Sequence, residues 1–422
     1  MTVTREDQCP RTPSSLPAIE LLSQREYRKL WVDSVLWQSG RWMWMIVSAY
    51  AVFQLTQSTF LTQLTGAALA LPQLVTGIFI GAIADKLNRR NVLIANHIAN
   101  FFISICTATL VITGTISWWH ITGLSFAFGV FATTDQVTRT AFTADIVGGR
   151  LLSAAIALQG LAFTLGFVFG TLMGGVLLEA LPFGEGNEAT GPYLVISLLC
   201  LVGGLTIQSL KVTNKPILQT GQASSIFNFL GSGLRSLLRN PLIIGVLGIT
   251  FLFNMTFHTY LPLIPVFADQ VLSVSPSFMG ILGACPGMGA AVGSLFIATR
   301  SEISKKSRYY IVGSLSALAF LQIFALSNHY PLSVAALICA GVGTAGFGTM
   351  QATLILTSVP NNMRGRAMGL QNTTIGVLPL GMLLLGALAE IVGPAKAVSI
   401  SASLGFILIA LWAYKAKALR QV

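Results

Sequence analysis

Charged side chains inside long apolar runs are the residues of this sequence that could do chemistry. The 422-residue chain is only 9% charged, yet Asp33 and Arg41 lie in one apolar run and Asp135 and Arg139 in another. Ionisable groups within a membrane are costly and indicate a functional site by default. A carboxylate in such surroundings could bind and release a proton as its access to water changes, and an arginine could contact a substrate or its counter-ion.

The spacing of these four residues indicates which of them pair. Asp135 and Arg139 are four positions apart, a spacing that allows an ion pair within one helix. Asp33 and Arg41 would be roughly 12 Å apart along a helix and about 80° apart around it, too far for an easy direct pair. We therefore expect Asp135 to be the better counter-charge for Arg41. The alternatives are a permanent ion pair that only joins helices and an Asp33 carboxylate that stays in headgroup water.

Polar residues in the second half of the chain form a second candidate set for substrate binding or coupling. His258 is the one histidine placed well inside an apolar run, because His97 lies near the start of its run and His120 and His329 near the ends of theirs. Imidazole titrates near neutral pH, although a hydrogen-bonded interior histidine is the alternative. The amide side chains of this set would suit substrate contacts or hydrogen bonds between helices. They belong to Asn254, Gln351, Gln371 and Asn372.

Composition determines which elements must position these groups. The chain is 54% hydrophobic with a mean hydropathy of +0.74, whereas soluble domains carry roughly 25% charged residues. We therefore expect an all-α membrane protein. The net charge of +11 does not indicate nucleic-acid binding, because the basic residues are scattered singly. No nucleophile–base set, metal-ligand spacing or phosphate-binding loop is visible, so we expect no enzymatic activity, no metal and no cofactor.

Apolar runs of about 20 residues or more predict twelve transmembrane helices. The predicted spans are 30–56, 60–84, 91–114, 118–143, 152–180, 190–211, 241–270, 276–299, 308–327, 331–357, 364–392 and 396–416. The predicted organisation is a cytoplasmic segment 1–29, a six-helix bundle 30–211, a cytoplasmic linker 212–240 with an amphipathic helix, a second six-helix bundle 241–416 and a cytoplasmic tail 417–422.

The distribution of basic residues predicts the orientation of the spans. With both termini in the cytoplasm, all of the 25 Lys and Arg residues except Arg41, Arg139 and Lys396 fall in cytoplasmic segments or at cytoplasmic span ends, as the positive-inside rule requires. Short matches between the two halves favour a duplicated architecture with a site near the membrane midplane.

A charged turn between the second and third predicted spans carries the clearest motif. It contains a glycine, an aspartate and three cations, at Gly81, Asp85, Lys86, Arg89 and Arg90. This pattern resembles the signature loop of the major facilitator superfamily of secondary transporters. Asn88 stands where the superfamily usually has glycine, and asparagine tolerates a left-handed turn.

Other segments resemble one branch of that superfamily, the enterobactin-exporter-like group, also called transmembrane secretion effectors. The matching segments are Arg28–Trp31, Gly40–Met43, Leu55–Ser58, Tyr260–Ala268, Met363–Gly369, and Pro379–Gly381 with Gly386. The resemblance implies the major facilitator fold, with two pseudo-symmetric six-helix bundles and a central cavity lined by spans one, four, seven and ten.

The charged turn also predicts a cytoplasmic gate. Asp85 could approach the start of the eleventh span near Arg364 and Arg366, where the helix dipole and free backbone N–H groups favour an anion. Arg89 or Arg90 could pair with Asp145 in the neighbouring loop. The alternative is a turn that merely fixes the topology.

Together these features predict a secondary active transporter that works by alternating access. We expect a monomer in the bacterial inner membrane that exchanges protons for a small organic molecule, such as a siderophore or an amphipathic drug, and exports it. One alternative is a facilitator of the same fold for lysophospholipid or another lipid. An alternative of another class is a non-transporting membrane sensor or assembly protein.

Overall fold

The computed structural model describes residues 17–84, 88–148, 151–184, 186–211, 239–299, 305–360 and 363–420. Within these ranges every regular element is helical and no strand is present, which confirms the predicted all-α class. Nine helices in the described ranges are long and apolar enough to cross a membrane. Residues 212–238, which hold most of the predicted linker, lie outside the described ranges, and the predicted domain limits stay a prediction.

The first half of the chain forms helices at the predicted positions. They are α1 (Arg25–Thr56), α2 (Thr59–Ala84), α3 (Arg89–Ile112), α4 (Trp118–Val147), α5 (Leu152–Ala180) and α6 (Thr190–Gln208), preceded by a short helix at Pro17–Ser23. Helix α1 begins five residues earlier than the predicted span. The prediction was based on apolar runs, which do not include the polar first turn of this helix. Asn88 does not adopt the left-handed turn that asparagine would tolerate at this position. Asn88 has an extended backbone and caps α3, since its Oδ1 accepts a hydrogen bond from Arg90 N at 3.1 Å.

The second half forms α7 (Pro241–Thr256), α8 (Pro276–Ala298), α9 (Lys306–Leu326), α10 (Tyr330–Thr357), α11 (Arg364–Ile375, continued by Leu378–Val392) and α12 (Pro394–Lys415), with a short helix at Lys417–Arg420. The predicted span 241–270 is present at Pro241–Val271, but it is not one regular α-helix. After Thr256 the chain tightens into a 3-10 segment, His258–Leu263, then one α-helical turn and a wider π-helical turn, Phe267–Val271. Pro262 and Pro265 cause this change, because proline cannot donate the backbone hydrogen bond of a regular helix.

Two helix pairs connect the halves, α2 with the second part of α11 and α5 with α8. Glycines allow these close contacts. A Cβ atom at Gly175 of α5 would lie 2.3 Å from the carbonyl oxygen of Pro276, and one at Gly386 of α11 would lie 2.7 Å from the Cβ of Gln63. The 3-10 segment after α7 also packs against α1 and α2.

The two ends of the helical assembly differ in charge. Most of the described cations cluster at the end where α1 and α3 begin, which we call the basic end. They include Lys29, Arg89, Arg90, Lys211, Lys305, Lys306, Arg308, Arg364, Arg366 and Lys415. We call the opposite end, where α1 finishes and α2 begins, the far end.

Two glutamates join the halves at the far end. Glu390, in the last turn of α11, accepts hydrogen bonds from Thr59 Oγ1 at 2.6 Å and from Phe60 N at 2.9 Å, at the start of α2. Glu179, in the last turn of α5, accepts hydrogen bonds from Ser275 Oγ at 2.8 Å and from Ser277 N at 3.2 Å, at the start of α8. Each carboxylate lies at a helix N-terminus of the other half, where the helix dipole favours an anion.

Candidate functional site

Arg139 on α4 is the centre of a buried polar network that joins α4 to α1. Its Nε and Nη2 atoms donate to the two oxygens of Asp135 at 2.8 and 2.9 Å. Its Nη1 atom donates to Asp33 Oδ2 at 2.5 Å and to Ser34 Oγ at 3.1 Å. The predicted ion pair within α4 is therefore present. The alternative that Asp33 stays in headgroup water is wrong, because its side chain is 0% exposed.

His97 on α3 completes the network, and the sequence did not predict its part in it. Its Nε2 atom lies 3.1 Å from Asp33 Oδ1, and its ring meets the Trp37 ring edge-on at 5.2 Å. The prediction that His258 is the one histidine well inside a span is wrong. Helix α3 begins at Arg89, so His97 lies about two turns inside it. Asp33 lies equally deep in α1, counted from the same end. This equal depth is the sequence feature that could have indicated a contact between the two residues.

Helix α6 closes the network from a third side. A Cβ atom at Gly203 would lie 2.5 Å from Asp33 Oδ1 and 2.6 Å from the Cε1 atom of His97. Real Cβ atoms do not approach other heavy atoms so closely, so the contact requires glycine at this position. The side chains of Asp33, Asp135, Arg139 and His97 are all buried, and the network is therefore shielded from bulk water on several sides.

The network has an unequal number of opposite charges. Two carboxylates, Asp33 and Asp135, share the single guanidinium of Arg139, so the network carries one net negative charge when His97 is neutral. Net buried charge is costly, and one added proton removes it. Protons on such closely coupled groups belong to the set rather than to one residue. One positive charge is therefore what these four groups lack for neutrality.

Arg41 on α1 is a second membrane-level cation, and its surroundings differ from the prediction. Asp135 is near enough to act on Arg41 electrostatically, but no ion pair within 4.0 Å joins Arg41 to a carboxylate of the described chain, because Asp135 is bound by Arg139. The Arg41 guanidinium instead lies 5.7 Å from the ring centre of Trp42. The buried Gln38 Oε1 and Trp42 Nε1 atoms lack hydrogen-bond partners. Residues 38, 41 and 42 share one face of a helix, which could bind a polar, anionic ligand.

Two of the four amide residues of the second half donate hydrogen bonds to Thr250 of α7. Gln351 on α10 donates to Thr250 Oγ1 at 2.6 Å, and Asn254 donates to the carbonyl oxygen of Thr250 at 2.9 Å. Gln351 thus links α10 to α7, as the interhelical alternative predicts. Gln371 on α11 is buried with Oε1 unpartnered, whereas the neighbouring Asn372 is exposed.

His258 lies in the irregular segment after α7 and is separate from the Arg139 network. Its ring centre is 5.2 Å from the rings of Phe253 and Phe257 and 6.3 Å from that of Phe347. Its Nδ1 atom is buried and lacks a hydrogen-bond partner. The structure therefore places His258 in an aromatic environment with one free polar atom.

Those predicted gate residues that the structure describes lie at the basic end. Arg89 Nη1 donates to Asp145 Oδ2 at 2.5 Å, so the predicted pairing of Arg89 with Asp145 is present and joins α3 to α4. Arg90 donates to the carbonyl oxygens of Ile207 and Gln208, at the C-terminus of α6, where a cation offsets the helix dipole. Gly81 is in α2, Arg364 and Arg366 are in the first turn of α11, and Asp85 and Lys86 lie outside the described residues.

Solved structures with the same fold are transporters. The chain matches a bacterial homologue of the human lysosomal transporter Spinster, in an inward-facing conformation, with a TM-score of 0.66 and 15% identity over 96% of this chain and 97% of that one. It also matches a POT family transporter with a TM-score of 0.72 and 10% identity over 93% of this chain and 96% of that one.

Sequence relatives are more specific. The chain is 29% identical to the enterobactin exporter of Salmonella choleraesuis over 355 residues, which cover 82% of this chain and 80% of the relative. It is 28% identical to the enterobactin exporter of Shigella flexneri over 345 residues, 80% of this chain and 78% of the relative. The family model of the transmembrane secretion effectors matches residues 17–422. With its transporter fold and its buried charges, the chain therefore belongs to the transmembrane secretion effector family of major facilitator transporters.

Proposed function

We propose that the chain is a proton-coupled exporter of a small organic molecule of the siderophore type, working by alternating access in the bacterial inner membrane. In this proposal α1 to α12 are twelve transmembrane helices in two six-helix bundles, and the protein acts as a monomer. The basic end faces the cytoplasm together with both termini, in accordance with the positive-inside rule.

The observation that carries the proposal is the Arg139 network. It contains two carboxylates, one guanidinium and one imidazole, all buried, and with a neutral imidazole these four groups carry a net charge of −1 that one added proton would neutralise. Arg139 holds Asp33 and Asp135 at the same time. Because Asp135 is on the same helix as Arg139, a movement of α1 against α4 would separate only Asp33 from the guanidinium. Such a change alters proton affinity, which is how a helix movement becomes coupled to proton binding.

The substrate site of the proposal lies beside this network on α1. Arg41 has no carboxylate partner within 4.0 Å among the described residues, and Gln38 and Trp42 offer unpartnered polar atoms on the same face. An anionic group of the substrate would neutralise Arg41. The names of the relatives make enterobactin the first compound to test. On the other half, His258, Asn254, Gln351, Gln371 and Asn372 are the proposed contacts.

The contacts between the halves support alternating access. Glu390, Glu179 and Gln63 hold the halves together at the far end, so the structure corresponds in this proposal to a state closed on the outside. Export requires these contacts to break while a gate forms at the basic end. That gate consists of Gly81, Asp85, Lys86, Arg89, Arg90, Asp145, Arg364 and Arg366. Asp85 would bind the N-terminus of α11 only when the cytoplasmic side is closed.

Transport in proteoliposomes tests the proposal. The purified chain is reconstituted, a pH gradient is imposed, and movement of enterobactin is followed with and without a protonophore. We expect movement against the enterobactin gradient that the protonophore abolishes. Enterobactin movement at the same rate without a pH gradient would contradict proton coupling, and no movement of enterobactin would contradict the proposed substrate.

A further inference from the structure

We infer that a groove between α8, α9 and α10 binds an anionic phospholipid in the membrane leaflet at the basic end. The groove has a volume of about 700 Å³ and is lined by all three helices. The site is separate from the Arg139 network and does not depend on the proposed transport function.

Glycines form the floor of the groove because α10 contacts both of its neighbours at backbone distance. A Cβ atom at Gly343 of α10 would lie 2.7 Å from the carbonyl oxygen of Gly313 on α9. A Cβ at Gly293 of α8 would lie 2.7 Å from the Cβ of Ala345 on α10. With no side chains at these glycines, α8 and α9 become the walls of an open channel above α10.

The groove faces away from the other half of the molecule. Helix α8 presents Gly280, Gly283 and Gly287 to α5, whereas Gly289 and Gly293 contact α10. At about 100° per residue the two sets lie on opposite sides of α8. The groove lies on the α10 side, so it opens towards lipid rather than towards the interface between the halves.

The dimensions of the groove match one leaflet. Its lining on α9 extends from Arg308 to Phe320, which is roughly 18 Å at 1.5 Å per residue. One leaflet contributes half of the roughly 30 Å of hydrocarbon in a bilayer. Phe296 and Val342, 54% and 43% exposed, line the apolar part, as a fatty acyl chain requires.

The charge at the mouth selects an anionic headgroup. Lys305 and Arg308 line the groove at the basic end and both are exposed. No carboxylate is among the described residues that line it. Basic pockets between transmembrane helices are sites for anionic lipid headgroups. An apolar channel of one-leaflet length with two cations at its mouth therefore fits a phospholipid with a negative headgroup.

Lipid binding to the full chain in detergent tests the inference. Phosphatidylglycerol and phosphatidylcholine with identical acyl chains are titrated, and bound lipid is counted by native mass spectrometry. The variants are Lys305→Ala with Arg308→Ala, Val342→Trp, which fills the groove, and a control, Lys415→Ala with Lys417→Ala. The control removes two exposed cations at the basic end outside the groove.

We expect the Lys305/Arg308 variant to bind phosphatidylglycerol about 30-fold more weakly, since each cation contributes about 1 kcal/mol and 1.4 kcal/mol is tenfold. Its phosphatidylcholine binding and the control variant should be unchanged, and Val342→Trp should weaken binding of both lipids. Equal losses in the Lys305/Arg308 and control variants, or no loss in Val342→Trp, would overturn the inference. Displacement of bound phosphatidylglycerol by millimolar inorganic phosphate would also overturn the inference, because it would indicate a site for anions that does not require a lipid chain.

Discussion

Replacing Arg139 with glutamine should destabilise the protein more than any change of an exposed charge. Among the residues that the structure describes, Arg139 is the one cation that pairs with both Asp33 and Asp135, and all three side chains are buried. Glutamine keeps part of the hydrogen bonding but removes the charge, which leaves two carboxylates close together, with Arg41 acting on Asp135 only from beyond 4.0 Å among the described residues. The substitution therefore isolates the electrostatic part of the network.

The magnitude follows from the burial of the network. Removing one partner of a buried ion pair costs about 3–5 kcal/mol, because an uncompensated charge remains. Adding Asp135→Asn to Arg139→Gln removes one of the two stranded carboxylates, while His97 still contacts Asp33 at 3.1 Å. We therefore expect the double variant to be more stable than Arg139→Gln alone, with a coupling energy of about 0.5–3 kcal/mol.

Denaturant unfolding of the purified protein in detergent measures these free energies. Lys396→Gln is the matched control, since Lys396 is exposed and surface substitutions usually change stability by less than about 0.5 kcal/mol. An Arg139→Gln variant as stable as this control would refute the charge-balance argument. A double variant whose loss equals the sum of the single losses would refute the coupling of Arg139 with Asp135.

Two further predictions concern helix contacts. Gly203→Ala should displace Asp33 and His97 and destabilise the protein by about 1–3 kcal/mol in the same unfolding assay. The control Gly160→Ala should not change stability, because a Cβ atom at Gly160 would meet nothing within 4 Å. Equal effects of the two substitutions would contradict the close contact of α6. Glu390→Gln should favour opening of the far end, because it removes an anion from the N-terminus of α2, an interaction of about 0.3–1 kcal/mol. Opening can be followed by maleimide labelling of a Thr62→Cys cysteine in a cysteine-free background, because Thr62 is 0% exposed. Labelling should be about two- to fivefold faster with Glu390→Gln than without it. An unchanged rate would show that Glu390 does not hold the far end closed.

Local features of the site could be predicted from the sequence. The positions of the helices follow from the lengths of apolar runs, and the Asp135–Arg139 pair follows from its spacing within one helix. The contact of Arg89 with Asp145 was also predicted, because both residues belong to the neighbouring charged ends of α3 and α4.

The contacts between distant helices could not be predicted. His97 meets Asp33 only because α3 and α1 have particular rotations about their axes, and Gly203 shows how closely α6 approaches them. Sequence spacing carries no information on such rotations. The same reason explains why Asp135 was expected to neutralise Arg41, although Arg139 binds it in the structure. The glutamates at the far end depend on how the two halves meet, which no local pattern encodes.

Proton movement coupled to enterobactin transport tests the central claim most directly. Proteoliposomes of the wild-type chain and of Asp33→Asn, with a pH-sensitive dye inside, are given enterobactin without an imposed pH gradient. The network of Asp33→Asn is already neutral through Arg139 and Asp135, so it no longer needs a proton. We predict an enterobactin-dependent pH change in the wild type and none in Asp33→Asn of equal protein content. The same pH change in both would contradict the assignment of proton coupling to the Arg139 network.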